Sequence, residues 1–135
     1  MGKLRVPLLV VALYYLILGA CALSASVVLA VFDYTVNDTG ELLVISAAFL
    51  GFGIVLGSIA SDPAKHESLI TSVIAALGIF SIFLLWAWAR HVYTVRNVLP
   101  PLASNVALAV WIWVSRREAE RAGGTGQAHA AGSTR

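Results

Sequence analysis

Four long apolar stretches divide this chain, and no Asp, Glu, Lys or Arg falls inside any of them. They cover residues 6–32, 42–60, 69–89 and 98–114. A helix needs about 20 apolar residues to cross the ~30 Å hydrocarbon core of a bilayer. The first stretch exceeds that with 27 residues, and the last, with 17, is the shortest. In lipid a segment must satisfy its own backbone, so stretches of this length imply helices rather than open strands. Composition agrees. Of the 135 residues, 59% are hydrophobic and 12% charged, with a mean hydropathy of +0.86. A soluble domain carries about 25% charge. So much apolar side chain has no place to hide in a globule of this size. A soluble enzyme, a nucleic-acid binder and a disordered chain are thereby disfavoured.

The connections are short. Residues 33–41 join the first two stretches, and there Asp38 is placed to cap the next helix, with Glu41 three residues on to close a capping box. Residues 61–68 join the second and third, and Asp62-Pro63 reads as a cap followed by a proline at the first helical position. Pro7 and Pro100-Pro101 sit near the starts of their stretches, where a missing N–H costs little. Short loops force antiparallel neighbours. The expected architecture is all-α: a single domain over residues 1–122, an integral membrane up-down four-helix bundle with four transmembrane helices. Arg116 and Glu120 are spaced for an i,i+4 pair, which extends the last helix into water. Residues 123–135 are mostly Gly, Ala, Ser and Thr with no apolar period, and read as a disordered cytoplasmic tail.

Basic residues set the orientation. With four spans, Lys3, Arg5, Lys65, Arg116, Arg117 and Arg121 share one side, and Arg90 and Arg96 lie on the other. The positive-inside rule then puts both termini in the cytoplasm of a multi-pass cell-membrane protein. Trp86, Trp88, Trp111 and Trp113 stand at the ends of the last two stretches, where indole rings anchor a span at the interface. On the outer side Asp33, Asp38 and Glu41 share a rim with Arg90, His91 and Arg96. Two readings apply: an ion cluster that clasps the two loops, or arginines that snorkel to lipid phosphates.

Small residues mark close helix contacts in lipid. In the second stretch Gly53 and Gly57 form GxxxG, with Ser46 and Ala60 on the same strip. Ala47, Gly51 and Ser58 form a second strip about 110° around the helix. That helix is therefore expected at the centre of the bundle. The GxxxG face serves packing within the chain or against a second copy. Asn105 is the one amide inside a span, and at that depth it needs a hydrogen-bonding partner.

No charge is embedded in any span, no paired cysteine accompanies Cys21, and no catalytic or metal-binding motif appears. No catalytic residue, metal ligand or cofactor is assigned, and the chain reads as non-enzymatic. Its partners are the lipid bilayer and a second copy or another membrane protein, not nucleic acid. FDYTVND at 32–38 and SDPAKHESLI at 61–70, with the helix count and loop lengths, resemble small four-helix prokaryotic membrane proteins of the DoxX-like and BphX-like kind. That resemblance implies a four-helix bundle, with some such proteins partnering redox or quinone-linked systems, and carries no residue over as catalytic. Three roles follow as expectations. The leading one is an accessory or structural partner in a membrane complex. The others are a small oligomeric pore or carrier for a neutral solute, and a quinone- or lipid-binding redox accessory.

Overall fold

A computed structural model describes residues 2–35 and 37–132, with side chains for residues 3–35 and 37–121. The described residues are helical apart from turns and short connections. Five helices follow in order: α1 (Gly2–Cys21), α2 (Ala25–Phe32), α3 (Thr39–Ser61), α4 (Glu67–Ala89) and α5 (Val95–Gly132). Four segments are long and apolar enough to cross a membrane: Lys3–Cys21, Thr39–Ser61, Glu67–Ala89 and Val95–Arg121.

The first apolar stretch is where the expectation of one helix over 6–32 needs correcting. It breaks after Cys21, and Ser24 takes an extended conformation as the N-cap of α2. The 27-residue stretch is thus divided into a long helix and a short second one. That helix ends at Asp33, whose positive φ of 55° closes it in the left-handed region and whose N–H returns to the Leu29 carbonyl. Asp38 caps α3 through Oδ1, which accepts from Gly40 N at 2.7 Å and Glu41 N at 3.3 Å. The loop before α4 also differs from expectation. Asp62 and Pro63 belong to a turn in which Asp62 Oδ1 accepts from Lys65 N at 3.2 Å, and α4 starts only at Glu67. Asp62 has bonded the backbone of a turn instead of a helix start, the local competition typical of Asp.

Pro7, Pro100 and Pro101 lie deeper in their helices than the sequence suggests, because α1 starts at Gly2 and α5 at Val95. The carbonyls of Lys3, Arg96 and Asn97 consequently lack helical donors four residues on. All three lie within the first turn of their helices. At the other end the backbone of α5 continues past residue 123 to Gly132. The side chains of the proposed tail, and residues 133–135 altogether, lie outside the described residues.

Contacts across the bundle give its arrangement. Gly19 lies against Leu50, and Gly53 against Leu16 and Ala12, so α1 and α3 run antiparallel. Lys3 meets Glu118 at 3.4 Å while Tyr15 meets Asn105, so α1 and α5 are antiparallel as well. Arg116 donates to Thr71 Oγ1 at 2.6 Å, tying α5 to α4. The helices follow one another around the bundle as α3, α1, α5 and α4, and α3 barely touches α4. The centre is therefore α1, the most buried of the four long segments, and not α3 as the two small strips suggested. Leu4, Leu8, Val11, Tyr15, Leu56, Ile70, Leu77 and Ile112 form the main core. Large apolar side chains such as Val44, Ile54, Ile82 and Phe83 cover the outside, as suits helices in lipid.

Candidate functional site

The second strip on α3 is open, and the first is closed except at Gly57. Ser46, Gly53 and Ala60 are buried, and Ser46 Oγ donates to the Gly19 carbonyl at 2.6 Å. Gly53 lets α1 approach: a Cβ there would lie 2.8 Å from Leu16 Cγ and 3.0 Å from the Ala12 carbonyl oxygen. Gly51 and Gly57 have open space where a Cβ would go, and Ala47 and Ser58 are exposed. Half of the GxxxG pair thus packs within the chain, and half faces outward.

At the Asp33 end the predicted ionic residues are partly brought together. Arg96 Nη1 reaches Asp33 Oδ2 at 3.3 Å, with both side chains largely exposed. Arg90 instead lies over Trp86, 5.7 Å from the ring centroid. His91 ends the α4 turn at a positive φ of 56°, and Asp38 is engaged as the α3 cap. The residue that ties this end is one the sequence reading passed over. Asn97 Oδ1 accepts from Thr94 N at 3.0 Å while Thr94 Oγ1 accepts from Asn97 N at 3.4 Å. This is a reciprocal cap of the capping-box kind, with Asn in place of Glu or Gln. The Asn97 Nδ2 also donates to the Phe32 and Asp33 carbonyls, which closes the end of α2 onto the start of α5. T-x-x-N at 94–97 was the available signal.

Below that clasp lies a cavity of about 400 Å³. Small-molecule pockets span about 300–1,000 Å³. Leu18 of α1 and Val28 and Phe32 of α2 form one wall, with Leu42, Ile45, Ala48 and Phe49 of α3 beside them. Phe80 and Leu84 of α4 and Pro101 of α5 face them. Because α3 and α4 barely touch, the side between them is open, and Ile45, Ala48 and Phe80 there are exposed. Tyr34 and Tyr93 line the cavity at the Asp33 end, and their rings meet edge to face at 5.5 Å. Burial, with Tyr34 and Glu41 nearby, raises the Tyr93 phenol above its ordinary value of 10.0. It therefore stays neutral well into alkaline solution.

Tyr15 and Asn105 make the floor. Tyr15 is 1% exposed and sits in an aromatic cluster, 4.9 Å from Phe52, 5.7 Å from Phe49 and 6.2 Å from Phe80, centroid to centroid. Its hydroxyl donates to Asn105 Oδ1 at 3.2 Å. Asn105 lies ten residues into α5, about 15 Å along the helix axis. The partner that its amide requires is thus a tyrosine on the central helix. Away from the cavity the main core continues with Val11, Leu56, Leu77 and Leu108.

Trp86, Trp88, Trp111 and Trp113 are all exposed, and Arg117 stacks 3.9 Å from the Trp113 ring centroid. Rings so placed fit interfacial anchors with a cation alongside. Against known proteins, no family model, no curated sequence and no solved structure matches the chain.

Proposed function

We propose that this chain is a non-enzymatic membrane protein that holds a neutral lipophilic molecule drawn from the surrounding lipid. The observation that carries this reading is the apolar cavity of about 400 Å³, floored by the Tyr15–Asn105 pair and open between α3 and α4. Its walls favour an apolar guest, and its side opening faces lipid rather than water. The packed core away from the cavity favours holding over passage, so the cavity fits a binding site better than a pore. Such a protein needs no catalytic set of its own, and an accessory role beside a membrane enzyme is compatible with it. The DoxX-like resemblance points the same way but contributes no residue to the argument. With six Lys/Arg at the Lys65 end against two at the Asp33 end, the termini are assigned to the cytoplasm and the cavity to the outer leaflet.

The test is extraction of bound lipophiles from protein purified out of native membranes, followed by mass spectrometry. Wild type should carry a stoichiometric neutral lipophile. Ala48→Trp, placed at the exposed edge of the cavity, should lose it while melting at the same temperature in detergent. Equal content in wild type and Ala48→Trp would remove the cavity from consideration.

A further inference from the structure

The chemistry of the guest can be narrowed from the hydrogen bonds around the cavity, an argument that rests on the binding role just proposed. Among the described residues no side chain lining the cavity is charged. An ion drawn to that depth would have no counter-charge to meet, and burial of an unpaired charge is prohibitive. The guest is therefore neutral.

Its polar group follows from which donors are already used. Asn97 is occupied on both sides of its amide, by Thr94 and by the Phe32 and Asp33 carbonyls. The Tyr15 hydroxyl is given to Asn105. The Tyr14 hydroxyl interacts with Ser104. Tyr34 and Tyr93 carry their hydroxyls at the Asp33 end; deeper in the cavity, Asn105 differs from all of these. The residue is 3% exposed, its Oδ1 takes the Tyr15 proton, and its Nδ2 has no partner among the described residues. Yet no fully enclosed side-chain nitrogen or oxygen lacks a partner among those residues. The Asn105 Nδ2 is thus not sealed in, and the space its side chain borders is the cavity. An amide nitrogen can only donate, and it offers two hydrogens.

We infer that the cavity selects a neutral lipophile that brings an acceptor oxygen, of the carbonyl kind, to the Asn105 Nδ2. The aromatic faces and edges of Tyr15, Phe49 and Phe80 around that point favour a ring over a single flexible chain. The rest of the molecule then extends along the walls toward Phe32 and Tyr93.

A matched pair of ring probes tests this: cyclododecanone and cyclododecane, titrated into full-length protein in phosphatidylcholine nanodiscs with empty nanodiscs subtracted. A net hydrogen bond should make the ketone bind about three- to tenfold tighter than the hydrocarbon. Asn105→Leu should erase that preference, while Tyr15→Phe, which leaves the amide hydrogens in place, should keep it. The infrared C=O stretch of bound ketone should be lowered in wild type and Tyr15→Phe but not in Asn105→Leu. Equal affinity of wild type for both probes would overturn the inference and leave the binding role standing. A lowered stretch that survives in Asn105→Leu would overturn it as well. Binding of neither probe would remove the inference and the binding role together. The wild-type comparison decides the matter even where Asn105→Leu fails to fold.

Discussion

Two glycines of one motif, four residues apart, have opposite surroundings. At Gly53 an added Cβ would meet Leu16 and the Ala12 backbone, and at Gly19 it would meet the Leu50 backbone nitrogen at 2.9 Å. At Gly51 and Gly57 it would meet nothing within 4 Å. Overpacking a tight contact costs about 1–3 kcal/mol. Gly53→Ala and Gly19→Ala should therefore lower stability by that amount in reversible denaturation from mixed micelles. Gly51→Ala and Gly57→Ala should leave it unchanged, or raise it by up to about 1 kcal/mol through helix propensity. Equal losses at Gly53 and Gly57 would mean that the outward face is covered by a partner. At the Asp33 end the ranking runs against intuition. The Arg96–Asp33 pair is exposed, with side chains 75% and 57% accessible, and pairs of that kind contribute about 0–1 kcal/mol. Asn97 joins four backbone and side-chain groups from two elements. Asn97→Ala should lower the melting temperature clearly more than Arg96→Ala, and restoring charge by swapping Asp33 and Arg96 should change little. A larger loss at Arg96 would make the ion pair, not the amide, the fastener.

At the scale of elements, α2 stands apart. It has eight residues and packs through a small satellite cluster of Ala22, Val28 and Leu42 rather than the main core. Few buried contacts mean easy local opening. Amides of α2 should therefore exchange with deuterium faster than those of α1 in lipid nanodiscs, and Asn97→Ala should widen the gap. Uniform protection across 2–32 would show that the break after Cys21 is not a boundary of stability. The sequence made the four long apolar segments legible because length and absence of charge are enough to mark them. It did not reveal the break, since Ser24 makes no side-chain cap bond and the Ala and Ser residues at 20–26 suit a helix interior or a cap. Helix spacing likewise located both small strips on α3 but not which one meets α1, because the choice depends on Gly19 and Leu16 on another helix. Asn105 was visible as a polar group at depth. Its pairing with Tyr15, ninety residues away, is a product of tertiary packing.

Across the whole molecule, the placement of α1 at the centre determines what the bundle can do. It packs against α3 on one side and α5 on the other, so α3 and α4 are left with little to share and the cavity opens between them. Which leaflet that opening faces depends on the sidedness of the chain. The Lys65 end gathers Lys3, Arg5, Arg116, Arg117 and Arg121, while Arg90 and Arg96 at the far end are engaged by Trp86 and Asp33. Positive charge retained in the cytoplasm would orient the Asp33 end outward. In a Cys21→Ser background, single cysteines at Thr35 and Thr94 should then react with a membrane-impermeant maleimide added to intact cells, and a cysteine at Ala64 should react only after lysis. Labelling of Ala64 from outside would invert the assignment and move the cavity to the cytoplasmic leaflet. A mixed result, with Thr35 and Thr94 on opposite sides, would contradict the antiparallel bundle itself, because the Asn97 bonds to Phe32 and Asp33 require both loops to be on one face.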